Sequence, residues 1–209
     1  TLVNALLGHC GELSGVGGRL RPGIVHRLDK LTSGVMVASK SDAAHLGLAE
    51  QFAVHSVERC YEVLVSGHLE RGRGTFDTPH GRHPSDRLRF TSRCAAGRRA
   101  VTHFEVERLL HGASLVQARL ETGRTHQVRV HFADAGHPVL GDPLYGKLPA
   151  GRRARDVHRR LGRQALHAAV LGFAHPVSGQ RLRFATPLPA DMLRAVAALD
   201  AAGEEEPGR

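Results

Sequence analysis

Three stretches of this 209-residue chain crowd ionisable side chains against apolar ones. They are Gly23-Ile24-Val25-His26-Arg27-Leu28-Asp29-Lys30, Gly123-Arg124-Thr125-His126-Gln127-Val128-Arg129-Val130-His131 and Gly141-Asp142-Pro143-Leu144-Tyr145-Gly146. A carboxylate, guanidinium groups and imidazoles beside apolar strand candidates are the kind of set that binds charged substrates and moves protons. Each has a plainer use when taken alone, since an Asp in a loop, such as Asp29, commonly caps a helix or closes a turn. His80 with His83, or His126, His131 and His137, could ligate a metal, but no H-E-x-x-H motif or carboxylate pattern accompanies them, so no metal is expected. Cys10, Cys60 and Cys94 are odd in number, far apart and form no C-x-x-C pair, which argues against a disulfide frame and fits a reducing compartment.

Charge points to the partner. Lys and Arg total 29 against 20 Asp and Glu, a formal net charge of +9, and most of the cations are Arg, whose planar fork suits phosphate. One cluster is Arg71, Arg73, Arg82, Arg87, Arg89, Arg93, Arg98 and Arg99, in a Gly-, Pro- and Ser-rich stretch that reads as a mobile basic loop. A second, Arg152, Arg153, Arg155, Arg159, Arg160 and Arg163, follows Gly151. A solvated surface would account for such clusters, but nucleic acid is the natural polyanion for two of them. With 4% aromatic residues, no Trp and two Tyr, recognition by stacking is poorly supported and recognition by shape and backbone is favoured.

The elements that must position these residues follow from periodicity. At 41% hydrophobic and 23% charged, the chain can bury one sizeable core. No apolar run approaches the roughly 18 residues of a membrane span, and the start lacks the pattern of a signal peptide, so a cytoplasmic protein is expected. Residues 34–38 read as a buried strand, and Asp42 as the N-cap of a helix reaching Phe52. Tyr61, Val63 and Val65 alternate as a strand does; residues 100–107 and 114–120 suggest a hairpin through His111-Gly112. Over 122–136 the alternation of Val128, Val130 and Phe132 competes with helix signals; the helix is preferred, with Thr125 as cap and Gly136 as stop. Residues 166–173 form another apolar segment, 181–185 a strand and 189–199 a helix. One mixed α+β domain over 1–201, with a frayed tail at 202–209, is the economical organisation.

Read together, the motifs carry a resemblance. His26-Arg27-Leu28-Asp29-Lys30 with Thr32-Ser33-Gly34 resembles the signature loop of the RluA-type pseudouridine synthases, and the 123–131 stretch is similar to their second signature. Further matches are Arg59-Cys60-Tyr61, Arg82-His83-Pro84, Ala100-Val101-Thr102-His103-Phe104, the 141–146 stretch and Leu166-His167-Ala168. The Arg-His-Pro stretch followed by Val-Thr-His-Phe looks most like the branch that modifies large-subunit ribosomal RNA. Family members normally carry a further strand segment with an Asn-Lys-Pro-like motif before the position of Thr1, and many have a small S4 RNA-binding domain. Neither matches residues of this sequence.

The resemblance implies a mixed, mostly antiparallel sheet with flanking helices and loops. It implies isomerisation of uridine to pseudouridine in RNA, ribosomal RNA first and transfer RNA as the rival, by a monomer with no cofactor, no metal and no membrane partner. Asp29 corresponds to the carboxylate acting at the ribose, and Tyr61 to the active-site tyrosine that contacts the uracil ring. Arg124 is the expected cation beside Asp29, because a carboxylate in a partly dry pocket needs a fixed positive charge. Arg27 matches the arginine that fills the space left by a flipped nucleotide. Arg87, Arg89 and Arg129 are expected on the RNA-facing surface. The alternatives are a catalytically silent RNA-binding or ribosome-assembly module of the same fold and a metal-dependent hydrolase acting on nucleic acid.

Overall fold

Eight strands form one sheet that is antiparallel at every pairing but one, and it sets the frame for everything else. The structure, a computed structural model, describes residues 2–10, 13–18 and 21–200. The strands are β1 (Ser33–Gly34), β2 (Glu58–Ser66), β3 (Arg73–Arg82), β4 (Phe90–Thr91), β5 (Arg98–Leu110), β6 (Ala113–Leu120), β7 (Leu166–Ala174) and β8 (Arg181–Ala185). They lie in the order β1-β7-β2-β6-β5-β3-β4, with β8 also on β7. The helices are α1 (Leu2–His9), α2 (Asp42–Ala53), α3 (Gln127–Asp134), α4 (Arg152–Leu161) and α5 (Ala190–Asp200). The expected α+β architecture is what forms; the frayed tail expected at 202–209 lies outside the described residues.

Side-chain alternation decides which face is buried. Tyr61, Val63 and Val65 of β2 stand opposite Ala118, Val116 and Ser114 of β6, and all six are buried. The same face continues through Phe104 and Thr102 of β5 to Phe76 of β3. Onto it α3 lays Val128 and Phe132, and the Phe132 ring meets Phe76 and Phe104 edge-on at 5.3 and 5.9 Å. A one-residue slip of register would turn the Tyr61 set away from α3, so this packing fixes where Tyr61 points.

Four local expectations are corrected. Of the 34–38 run only Gly34, with Ser33 before it, joins the sheet, because the Val37 N–H donates to His26 Nε2 at 3.0 Å and Ala38 bridges Ile24. Gly34 (φ +121) is required there, since a Cβ would lie 2.2 Å from the Ala168 carbonyl oxygen. The N-cap of α2 is Ser41, whose hydroxyl accepts the Ala44 N–H, while Asp42 accepts from Ser14 Oγ at 2.6 Å. The basic stretch expected as a mobile loop is largely strand: Arg73–His80 pairs residue by residue with Glu105–Arg98, and Pro79 is tolerated because β3 lies at the sheet margin. The helix over 122–136 forms as α3, but His126, at φ 58, is its N-cap in place of Thr125.

α3 is tied to the sheet by a buried histidine. His131 Nδ1 lies 2.9 Å from Thr102 Oγ1 and Nε2 3.1 Å from Thr78 Oγ1. Burial, with the neighbouring His80 adding to it, lowers its pKa from 6.5 to about 4. The unfolded chain therefore takes up this proton first, so the contribution is complete above pH 6.5 and is lost as pH falls toward 4. Urea unfolding should show roughly 2 kcal/mol lost through His131 between neutral pH and about pH 5. A stability independent of pH across that window would contradict the neutral, buried imidazole.

Candidate active site

A cavity of about 430 Å³ opens beside β2, between the 25–32 segment, the C-terminal end of α2 and the turn that leads into α3. That volume suits a small-molecule-sized group such as a nucleoside. Asp29, Tyr61, Arg124 and Arg27, scattered over a hundred residues of sequence, all line it. Asp29 is the single carboxylate in the lining among the described residues. Val25, Leu28, Phe52, Leu120, Val128 and Leu166 supply the cavity's apolar lining.

The cation that holds Asp29 is Arg129, not Arg124. Arg129 Nη1 donates to Asp29 Oδ2 at 3.1 Å, while its Nε and Nη2 grip Asp142 at 2.7 and 2.9 Å. Arg129 is 5% exposed, so its expected place on the RNA-facing surface is also corrected. Burial opposes the charge on Arg129, but its bonds to Asp142 and Asp29 outweigh that and raise its pKa. Burial alone would raise the Asp142 carboxyl; the Arg129 bonds, with the N–H groups of Tyr145 and Leu144, hold it below the usual range. The register of α3 explains the reassignment: Arg129 sits inside the helix facing the sheet's loops, whereas Arg124 precedes it in the turn.

That turn is fastened by Gln127. Its buried amide accepts from the Arg124 N–H at 2.9 Å and from Thr122 Oγ1 at 2.7 Å, and donates to the Val101 carbonyl at 2.9 Å. Arg124 is thereby fixed at the cavity wall, with its Nε donating to the Arg99 carbonyl at 3.2 Å. No ion pair joins it to Asp29 among the described residues.

Tyr61 is 9% exposed and contributes to the cavity wall. Burial pushes its phenol up to about 12, with Arg59 opposing and Asp29 adding to the rise, so it remains protonated at neutral pH. His26 is likewise held neutral: burial and then Arg59 lower its pKa to about 4, and its ring stacks on Phe52 at 4.7 Å. Arg59 itself donates through Nη2 to the Glu121 carbonyl at 2.7 Å.

The remaining arginines divide. Arg27 is exposed at the cavity lining and Arg87 is exposed in the 83–89 connection. Arg89 is half-buried with its guanidinium over the Tyr145 ring at 5.2 Å, and Arg129 lies over the same ring at 5.1 Å. The Tyr145 hydroxyl accepts the Phe90 N–H at 2.9 Å and bonds His126 Nδ1 at 2.9 Å, so this tyrosine links β4, α3 and the ion-pair cluster. The sequence singles out the 141–146 stretch but assigns no role to Asp142. Its signal lay in the Asp-Pro-Leu-Tyr-Gly stretch, where Oδ1 accepts the N–H groups of Leu144 and Tyr145 in a local turn.

Comparisons with known proteins address the family and the fold. The RNA pseudouridylate synthase family profile matches residues 10–134. The chain is 52% identical over 194 residues to the ribosomal large subunit pseudouridine synthase D of Zymomonas mobilis, covering 92% of this chain and 61% of that protein. It is 48% identical over 204 residues to the protein of the same name from Xanthomonas campestris, covering 95% and 60%. The chain thus spans about three fifths of the length of these curated relatives. Among solved structures, human RNA pseudouridylate synthase domain containing 1 superposes with a TM-score of 0.72 at 28% identity, over 90% of this chain and 74% of that one. A family match over most of the chain, together with the convergence of both signature loops on one cavity, shows that the chain belongs to the RNA pseudouridylate synthase family.

Proposed function

We propose that this chain isomerises uridine to pseudouridine in RNA, with large-subunit ribosomal RNA in the cytoplasm as its substrate. The observation that carries the reading is the Asp29 carboxylate, alone of its kind in a nucleoside-sized cavity and held by a buried guanidinium. In the reaction the N1–C1′ bond breaks, the base turns and C5 joins C1′; C5 loses a proton and N1 gains one, so the atoms balance without a redox partner. Cleavage builds positive character on the sugar, which a carboxylate can stabilise or attack. Asp29 takes that role. Tyr61, protonated at neutral pH, acts through its ring and its O–H against the base, and Arg27 and Arg124 contact the nucleotide at the cavity wall. The names of the Zymomonas and Xanthomonas relatives support ribosomal RNA as the substrate.

The grip on RNA falls to exposed cations. Arg87 stands in the 83–89 connection, and α4 presents Arg152, Arg159 and Arg160 to solvent while burying Ala154 and Val157. The helix adjoins the site, since its His158 Nδ1 accepts the Gly141 N–H at 3.2 Å, next to Asp142.

Three outcomes test this. Asp29→Asn should bind unmodified ribosomal RNA like the wild type yet lose pseudouridine formation by about 1,000-fold or more, read by chemical labelling and primer extension. Wild-type binding without modification would instead indicate a silent RNA-binding module. Arg129→Met, which leaves Asp142 buried without its partner, should lose about 3–5 kcal/mol of unfolding free energy, whereas Arg124→Met should lose less than about 1. Equal losses would overturn the pairing. Replacing Arg152, Arg159 and Arg160 together by Gln should flatten the log–log salt dependence of RNA affinity by up to about 2, at roughly 0.7 per phosphate contact; an unchanged slope would remove α4 from the interface.

A further inference from the structure

The loop that carries Asp29 is held in a conformation its own sequence disfavours. Leu31 adopts φ 74, a left-handed backbone that branched and bulky L residues rarely adopt, and the residue is 47% exposed. The only local bond across the turn is Thr32 N–H to the Asp29 carbonyl at 3.0 Å among the described residues. Something outside the loop must therefore impose its shape.

That restraint comes from two consecutive residues ahead of β7. Gln164, 1% exposed, uses both protons of Nε2, donating to the Lys30 carbonyl at 2.8 Å and to Thr32 Oγ1 at 3.0 Å. Arg163 Nη1 donates to the Leu31 carbonyl at 3.1 Å, and its other face is clamped by Asp191 of α5 at 2.6 and 2.9 Å. Residues 30, 31 and 32 are thus each fastened from the same side. The same segment supports the cation behind Asp29: a Cβ at Gly141 would lie 2.2 Å from the Arg163 carbonyl oxygen, so the turn that presents Asp142 to Arg129 rests directly on it. It is also rigid, because the Ala165 carbonyl accepts the Leu64 N–H at 3.0 Å and the Ala165 N–H donates to Leu140 at 2.8 Å.

We propose that Gln164 is a positioning residue for the reaction, and that Gln164, Arg163 and Asp191 form a latch that holds the 29–32 loop with Asp29 turned to the cavity. The inference rests on the pseudouridine synthase reading and deepens it. Neither Gln164 nor Asp191 lines the cavity, so neither touches the nucleotide. The latch needs a neutral side chain with two donors on one nitrogen: Glu has the same shape and no donor, and Leu has the same bulk and no polarity.

The test uses Gln164→Glu, Gln164→Leu and Asp191→Asn in the full chain, with two readouts. Hydrogen exchange of peptides spanning 29–33 should be about tenfold or more faster in both Gln164 variants, with β2 peptides unchanged. Single-turnover pseudouridine formation should fall by about 100-fold at saturating RNA while RNA affinity stays within about twofold, because a displacement of about 1 Å at the reacting group has that effect on rate and not on binding. Asp191→Asn, which leaves the buried amide in place, should move both readouts in the same direction by a smaller factor and keeps the test open if Gln164→Leu fails to fold. Unchanged exchange at 29–33 overturns the latch. Faster exchange with a wild-type rate overturns its role in positioning. A wild-type protein that makes no pseudouridine overturns the reading of function instead, and exchange alone then decides whether the latch exists.

Discussion

A single guanidinium shared between two carboxylates organises this protein. Arg129 is buried, its Nε and Nη2 taken by Asp142 and its Nη1 by Asp29, and the Tyr145 ring lies against it. Breaking such a group by removing one partner leaves an uncompensated charge in a poor dielectric, so its members are held together far more tightly than a surface pair would be. The unequal division has a purpose that the geometry displays. Asp142 takes two bonds and is fully buried, whereas Asp29 takes one and keeps an open side toward the cavity.

Around that cluster the other ionisable groups are arranged to avoid competing with it. His26 and His131 are held neutral by burial, and Tyr61 is held protonated by the same cause. The cavity is lined by one carboxylate, Asp29, by the guanidinium groups of Arg27, Arg59 and Arg124, and otherwise by apolar, hydroxyl, amide and imidazole side chains. In the proposed function these arginines meet the phosphates of the nucleic acid and the carboxylate meets the inserted nucleoside.

Much of this could be read from residue types. Alternation of Tyr61, Val63 and Val65 marks β2, and two strand-like runs around His111-Gly112 mark the β5–β6 hairpin; 166–173 reads only as an apolar segment, because β7 is buried on both faces and carries no period of two. Asp29, Tyr61 and Arg124 are expected at a common site only through the resemblance of the signature motifs, since each residue alone has a plainer structural use. The reading of 71–99 as a loop failed because Gly, Pro and Arg describe a strand at a sheet margin as well as they describe a turn. Asp42 and Thr125 were reasonable caps by type, but cap identity depends on which backbone N–H groups are left unpaired, and that is set by the neighbouring chain.

The sequence by itself determined the family, the α+β class and the chemical inventory, since these depend on local periodicity and on short motifs whose residues are contiguous. Only the tertiary structure decided which arginine serves Asp29. Arg124 and Arg129 lie five residues apart in one motif, and either is within a side chain's reach in sequence terms. Which one arrives depends on where α3 begins and on the Asp142 turn that draws Arg129 inward, an arrangement made by chain segments about a hundred residues from Asp29.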